Sequence, residues 1–125
     1  MAQKILVVDD EANIRNLMEQ ILEALEDEGV EILFAEDGKE GLETIETEQP
    51  DLVFLDVMMP GMNGFEVCQQ VKNNPALQAV CIILLTAKGQ EADKQKGMAA
   101  GADGYMTKPF RMGTILGKAR EVLDL

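Results

Sequence analysis

Acidic side chains stand directly after two of the most apolar segments of the chain. Asp9 and Asp10 follow the segment Lys4–Val8, and Asp56 follows the segment Asp51–Leu55. Carboxylates that lie close together repel one another and raise each other's pKa unless a cation holds them. Mg²⁺ suits such a group best because it prefers oxygen ligands, keeps several waters and takes one or two carboxylates. One aspartate would be enough to cap a helix, and two adjacent aspartates exceed that need.

Two further side chains extend this group toward phosphoryl chemistry. Thr86 follows the apolar run Cys81–Leu85, and Lys108 follows the short segment Gly104–Thr107. A metal site, a carboxylate, a lysine and a hydroxyl together favour phosphoryl transfer, in which Asp56 is the nucleophile. Lys108, Thr86 and the metal would share the charge of the phosphoryl oxygens. Taken alone, Lys108 is also typical of a salt bridge to an aspartate at a loop end, and Thr86 is more typical of an ordinary strand end.

Alternating strands and helices must bring these residues to one place. Strands that are apolar at every position are typical of a parallel sheet covered on both faces, and helices between them favour right-handed crossovers. Ligands then bind beyond the carboxyl ends of the strands. We predict a doubly wound α/β fold of five βα units, with the most apolar strand in the centre. The predicted strands are Lys4–Val8, Glu31–Ala35, Asp51–Leu55, Cys81–Leu85 (the most apolar) and Gly104–Thr107. The predicted helices are Ala12–Glu28, Gly38–Glu48, Phe65–Lys72, Glu91–Ala100 and a last one that runs to the C-terminus. The first helix carries an apolar stripe of Ile14, Leu17, Met18, Ile21, Leu22 and Leu25.

Composition excludes several classes of protein. A chain of 125 residues is the size of one domain, and its net charge of −12 disfavours direct binding to a nucleic-acid backbone. The longest apolar run, Ala79–Leu85, is far shorter than the ~20 residues that span a bilayer, and no signal peptide is evident, so we expect a cytoplasmic protein without membrane insertion. Cys68 and Cys81 lack metal-ligand spacing and no histidine is present, which indicates reduced core thiols.

In combination, four motifs resemble those of response-regulator receiver domains of two-component signalling. The resemblance covers residues 1–125 as one domain and implies the flavodoxin-like (βα)5 fold with strand order 2-1-3-4-5. The motifs are Val7-Val8-Asp9-Asp10-Glu11, Asp56 within the segment Asp51–Gly64, Thr86-Ala87, and Lys108-Pro109-Phe110.

The resemblance also implies a function, a cofactor and partners. Asp56 would accept a phosphoryl group from a histidine kinase or phosphotransfer protein, and Lys108 would contact that group, with a cis bond to Pro109 permitted. Thr86 would then move toward the phosphate and Tyr105 would turn inward, which changes the face offered to a downstream protein target. The domain would be a switch with self-phosphorylation and dephosphorylation chemistry only, not an enzyme. Mg²⁺ would be bound by Asp10, Asp56 and the backbone carbonyl of Met58, with Asp9 acting largely through water.

Two positions depart from what the resemblance leads us to expect. Met58 and Lys88 stand two residues after Asp56 and Thr86 respectively, where side chains border the path of attacking water. We predict that both affect the lifetime of the phosphate. Because the sequence ends after the last helix, we expect a stand-alone module.

Charge is unevenly distributed along the chain. Residues 1–85 carry a net −14 and residues 86–125 a net +2. We hypothesise a phosphorylation-dependent homodimer or partner contact through the second region, although exposed charges of this kind are often only solvated. The residues of this charged surface are Glu91, Asp93, Lys94, Asp103, Lys118 and Arg120.

Three other functions compete with the phosphoaccepting switch. A hydrolytic aspartyl phosphotransferase, similar to haloacid dehalogenases, needs a second acid where Met58 stands. An FMN carrier of the same fold binds phosphate after the first strand, where Asp9, Asp10 and Glu11 would repel it. A receiver-like module that binds proteins without phosphorylation is the remaining alternative.

Overall fold

The computed structural model describes residues 2–87 and 92–125, together with the backbone but not the side chain of Glu91. The prediction made for Lys88 therefore lies outside the described residues. The strands are β1 (Lys4–Val8), β2 (Glu31–Ala35), β3 (Leu52–Asp56), β4 (Cys81–Ala87) and β5 (Gly104–Lys108). The helices are α1 (Ala12–Glu26), α2 (Gly38–Glu48), α3 (Gly64–Lys72), α4 (Glu91–Ala99) and α5 (Met112–Leu123), with a 3₁₀ turn at Pro75–Leu77.

All five strands pair in parallel in the order β2-β1-β3-β4-β5, which confirms the predicted fold class and strand order. The prediction that Cys81–Leu85 forms the central strand is wrong, because β3 occupies the middle of the sheet. Both strands are interior, and the residues of β3 and most of β4 are buried. Burial on two faces makes interior strands alike in sequence, so the most apolar run does not identify the middle one.

Alternate residues of each strand point to opposite faces of the sheet and fill two separate cores. Leu6, Val53 and Ile82 belong to the core that α2 and α3 cover. Ile5, Phe54 and Ile83 belong to the core that α1 and α5 cover. The sheet thus has an apolar layer on each side, as the uninterrupted apolar runs predict.

Several boundaries differ from those predicted. Helix α1 ends at Glu26 rather than Glu28, because Gly29 adopts φ +93° and the N–H of Val30 bonds to the carbonyl of Leu25. Strand β3 includes Asp56 as its last residue. Within the apolar stripe of α1, Leu17 is 40% exposed, whereas Met18, Ile21, Leu22 and Leu25 are buried.

Helix α3 begins close to the end of β3. The side chain of Asn63 accepts a hydrogen bond from the N–H of Glu66, and the Glu66 side chain accepts one from the N–H of Asn63. A Cβ atom at Gly64 would overlap the carbonyl oxygen of Asp56, so only glycine lets the two segments approach this closely. None of the helices in the described part of the chain has both the length and the apolar character to cross a membrane.

Candidate phosphoryl-transfer site

Three carboxylates meet at the carboxyl ends of β1 and β3. Oxygen atoms of Asp9, Asp10 and Asp56 all lie within 4.8 Å of one another. Asp9 and Asp56 are buried, at 0% and 3% exposure, while Asp10 is exposed. The parallel register explains this meeting, because β1 and β3 are neighbours and both end at the same edge of the sheet.

Asp9 is fixed by contacts on every side. Its N–H donates to the carbonyl of Ala35 at 3.2 Å, and its Oδ1 accepts the N–H of Glu11 at 2.9 Å. Its Oδ2 lies 3.2 Å from the Nζ of Lys108. Its own carbonyl accepts a hydrogen bond from the side chain of Arg15 at 2.7 Å. Each oxygen of the buried Asp9 carboxylate therefore has a partner among the described residues.

Lys108 lies between the two buried carboxylates. Its Nζ is 3.2 Å from Asp9 Oδ2 and 3.2 Å from Asp56 Oδ1. Burial lowers the pKa of Lys108, but the charges of Asp56 and Asp9 more than offset this and leave it raised. Burial and the charge of Asp9 raise the pKa of Asp56 to about 6, although Lys108 and the N–H of Met58 oppose this. Asp56 is therefore mainly ionised at neutral pH and strongly basic for an aspartate.

The described donor set fits a divalent cation. All three acidic side chains offer oxygen, and one lysine cannot neutralise three carboxylates. Among the described residues, no hydrogen-bond donor contacts the carboxylate of Asp10. The carboxylate oxygens of Asp10 thus lie at the solvent side of the group without a described hydrogen-bond donor. The structure brings the three predicted carboxylate ligands together, and Met58 stands two residues after Asp56.

Thr86 lies inside β4 rather than after it. It is buried, pairs with Thr107 across the sheet, and its Oγ1 donates to the carbonyl of Met106 at 3.4 Å. Ala87 pairs with Lys108 one position further on. The same pair of strands therefore carries the threonine and the lysine to the acidic edge, and in this conformation the hydroxyl is turned to β5.

Tyr105 faces outward from β5 and is 38% exposed. The Nζ of Lys94 in α4 lies 4.7 Å from the centre of its ring. Met58 is 70% exposed beside the acids, and its N–H donates to Asp56 Oδ1 at 3.3 Å. The peptide bond between Lys108 and Pro109 is cis. These positions leave the Tyr105 ring outside the core and the Met58 side chain open to solvent.

Several residues of the predicted charged surface have partners within the described part of the chain. Asp103 lies 2.8 Å from Lys72, and Lys118 lies 3.6 Å from Glu121. Arg120 makes two hydrogen bonds to the carboxylate of Glu28, at 2.6 and 3.1 Å. Lys94 contacts Tyr105, and Asp93 is half-buried. The side chain of Glu91 lies outside the part that is described.

Arg15, which the sequence did not single out, also contacts the site. Arg15 projects from the first turn of α1 onto the carbonyl of Asp9. A contact between an arginine and a main-chain carbonyl has no spacing rule of its own, because any residue supplies the carbonyl. The one sequence signal for this contact is that Arg15 lies near the start of α1, a few residues after Asp9 and Asp10.

Similarity to known proteins identifies the family of this chain. The family model described as response regulator receiver domain matches residues 5–120. The chain is a response regulator receiver domain. Receiver domains are signalling switches of two-component systems, and as a class they bind Mg²⁺ at a cluster of aspartates like the one found here.

Relatives of this receiver domain include regulators of several kinds. It is 44% identical over 123 residues to the alkaline phosphatase synthesis transcriptional regulatory protein PhoP of Bacillus subtilis, covering 98% of this chain and 49% of PhoP. It thus spans about half the length of that relative. The structure of the chemotaxis protein CheY4 of Vibrio cholerae is 34% identical with a TM-score of 0.85, covering 98% and 99% of the two chains. The receiver domain of a DNA-binding response regulator from Colwellia psychrerythraea is 26% identical with a TM-score of 0.89, covering 98% and 99%.

Proposed function

We propose that residues 1–125 form one phosphoaccepting domain in which Asp56 takes a phosphoryl group from a histidine kinase or phosphotransfer protein. One observation carries this proposal. The Asp56 carboxylate is buried at the end of β3, 3.2 Å from Lys108 and beside two more carboxylates. A carboxylate that is held by a lysine, next to a cation site, is the arrangement that an acyl phosphate requires.

The chemical step follows from the charge state of Asp56. An ionised carboxylate oxygen attacks phosphorus, the bond from phosphorus to the donor's imidazole nitrogen breaks, and the imidazole leaves with the electron pair and takes up a proton. A pKa of about 6 leaves the Asp56 carboxylate mainly ionised at pH 7, as nucleophilic attack requires. Lys108, now 3.2 Å from Asp56 Oδ1, would then donate to a phosphoryl oxygen.

The proposed cation site consists of Asp10, Asp56 and the backbone carbonyl of Met58, with Asp9 acting through water. Mg²⁺ bound there would offset the negative charge of the phosphoryl oxygens. Asp9 already binds Lys108 and the N–H of Glu11, which supports its role in holding the edge of the site rather than in direct ligation. Asp10, exposed and unoccupied by described donors, is available for direct ligation.

Thr86 and Tyr105 are proposed as the switch pair. The 3.4 Å contact from the Thr86 hydroxyl to the carbonyl of Met106 is longer than the usual O–H···O range of about 2.5–3.0 Å, so a phosphoryl oxygen would compete with it well. Rotation of Thr86 toward Asp56 would free space behind it for Tyr105, which now lies on the surface. A phosphorylated domain would thereby present a different β5 face to its protein target.

The decisive experiment is incubation of the chain with acetyl phosphate and Mg²⁺, read by intact mass and compared with Asp56→Asn. A labile adduct on the wild type alone, which needs Mg²⁺, is expected. Absence of an adduct, together with no response to beryllofluoride, would instead support a receiver-like module that binds proteins without phosphorylation. Met58→Asn is a companion variant, because exposed Met58 borders the site and is proposed to affect how fast the adduct decays.

A homodimer through the charged surface remains a second proposal. Asp103 and Arg120 would have to share or exchange their partners Lys72 and Glu28 in order to contact a second copy. Sedimentation of the chain with and without beryllofluoride tests this, and a monomer under both conditions would exclude the dimer. The cytoplasmic location and the downstream protein target stay predictions.

A further inference from the structure

Arg15 holds the peptide that joins Asp9 to Asp10. Its Nη1 donates to the carbonyl of Asp9 at 2.7 Å, and its Nη2 lies 3.6 Å from the carboxylate of Glu36. The Arg15 side chain is only 18% exposed, whereas that of Glu36 is 72% exposed. The strong, sheltered contact is therefore the one to the main chain, and the ion pair to Glu36 is screened by solvent.

The held peptide matters because of what it leads to. The carbonyl of Asp9 and the N–H of Asp10 belong to one planar peptide unit, so a fixed carbonyl also fixes the direction of the N–Cα bond of Asp10. Asp9 has its own side-chain contacts to Glu11 and Lys108. Asp10 has no such support among the described residues, and its carboxylate is exposed. The peptide plane that Arg15 holds is thus one restraint on where the Asp10 carboxylate lies.

We propose that Arg15 is a positioning residue for the divalent-cation site, and that it acts by orienting Asp10 through the Asp9 carbonyl. The inference rests on the proposed function, since it assumes that Asp10 ligates Mg²⁺. Two effects of Arg15 on the cation have opposite signs. Its positive charge near three carboxylates weakens cation binding, while its hold on the peptide strengthens it by keeping a ligand in place. Removal of Arg15 therefore distinguishes the two effects: Mg²⁺ affinity falls if positioning dominates and rises if charge repulsion dominates.

The test is a calorimetric titration of the full chain with Mg²⁺ alone, for the wild type and for Arg15→Met. The methionine keeps an apolar stem of similar length and removes both donors and the charge. Loss of an outer contact of this kind costs roughly 10-fold in metal affinity, so we expect weaker binding by about that factor. Arg15→Lys keeps a donor and the charge and should recover most of the affinity.

Two control variants separate positioning from charge and from general loosening. Glu36→Gln removes the ion pair but leaves the contact to Asp9, so its Mg²⁺ affinity should match that of the wild type. Arg120→Met removes an arginine that pairs with Glu28 away from the acids, so it should lower stability without changing the affinity. Unfolding by urea in EDTA gives the stability of each variant without metal.

The outcomes are distinguishable. Weaker Mg²⁺ binding by Arg15→Met, rescued by Arg15→Lys and absent in both controls, is the expected result. Unchanged or tighter binding by Arg15→Met would overturn the positioning role and leave the proposed function intact. A wild type that does not bind Mg²⁺ would instead overturn the proposed cation site, and this inference with it. A loss of affinity in Arg120→Met equal to that in Arg15→Met would assign the effect to stability and so contradict positioning.

Discussion

The ammonium group of Lys94 lies over the ring of Tyr105, 4.7 Å from its centre. This contact joins α4 to β5 on the outer surface of the domain and favours the outward position of the ring. Tyr105 is the single tyrosine of the chain, which has no tryptophan. Its fluorescence therefore reports on this one position without interference from other sites.

Replacement of Lys94 should ease the inward turn of Tyr105. A cation over an exposed ring contributes about 0.5–1 kcal/mol to the outward state, so Lys94→Ala should lower the beryllofluoride concentration at half-response by roughly 2–5-fold. Titration with beryllofluoride and Mg²⁺, followed by tyrosine fluorescence, measures this. Lys96→Ala on the same helix is the matched control. A wild type whose tyrosine signal ignores beryllofluoride would show that Tyr105 does not take part in the switch.

The titration of Asp56 should make the metal-free domain less stable as pH rises. Burial and the charge of Asp9 raise the pKa of Asp56 from 3.8 to about 6, so between these values the folded state binds more protons than the unfolded state. Stability from this group is present below about pH 4 and is lost as pH rises through 6. Asp56→Asn lacks this loss, so its stability relative to the wild type should increase by up to about 3 kcal/mol between pH 4 and pH 7.

Urea unfolding in EDTA across this pH range measures the difference. Only the change of this free-energy difference with pH is informative, because loss of the Asp56 contact to Lys108 in Asp56→Asn adds an amount that does not depend on pH. Lys108→Met provides an internal check, since Lys108 lowers the pKa of Asp56 and its loss should move the window to higher pH. A difference between the wild type and Asp56→Asn that stays constant from pH 4 to pH 7 would contradict the raised pKa.

Lys72 should contribute far more to stability than an ordinary surface lysine. Its Nζ donates to the carbonyl of Val80 at 2.6 Å and lies 2.8 Å from Asp103, whose carboxylate also accepts the N–H of Ile82. The side chain is 16% exposed, so Lys72→Met leaves a carbonyl and a carboxylate with fewer partners and should cost about 1–3 kcal/mol.

The ion pair of Lys4 and Glu48 is the matched control, because its members are 29% and 39% exposed. Exposed pairs contribute about 0.2–1 kcal/mol, so Glu48→Gln should have a small effect. Denaturant unfolding of both variants decides the matter, and equal losses would mean that Lys72 is no more than a surface residue.

Two helical glycines should respond to alanine in opposite directions. A Cβ at Gly97 in α4 would overlap Leu84, a core residue of β4, and overpacking of this kind costs about 1–3 kcal/mol. A Cβ at Gly117 in α5 meets nothing within 4 Å, so the alanine should stabilise its helix by up to about 1 kcal/mol. Thermal unfolding of Gly97→Ala and Gly117→Ala tests the pair. Equal midpoints would mean that α4 moves aside without cost.

Much of the fold could be predicted because burial on two faces leaves a plain trace in the sequence. The run from Ile5 to Val8 is apolar at every position, and the structure buries each of these residues in one of two cores. The middle strand could not be identified in this way, since both β3 and β4 are interior strands with mostly buried residues. The end of β4 was also missed, because pairing of Ala87 with Lys108 extends the strand and local sequence does not encode that partner.

The candidate site was predictable where strand ends supply its residues. Asp9, Asp10 and Asp56 follow or end apolar strands, so a parallel sheet brings them together. Arg15 was not predictable, because its acceptor is a main-chain carbonyl that every residue possesses. The internal partners of Asp103 and Arg120 were missed for a related reason. Lys72 and Glu28 are distant in sequence, and which charges meet depends on how helices pack.

The division of the interior by the sheet has a consequence for how substitutions combine. Leu6 and Val53 share neighbours on one face, Val7 and Phe54 share neighbours on the other, and the backbone of the sheet separates the two groups. Sites without shared neighbours act independently, so truncations on opposite faces should add in free energy while those on one face should not. The domain therefore has two cores that share one sheet, and the acidic site lies at the edge where this sheet reaches solvent.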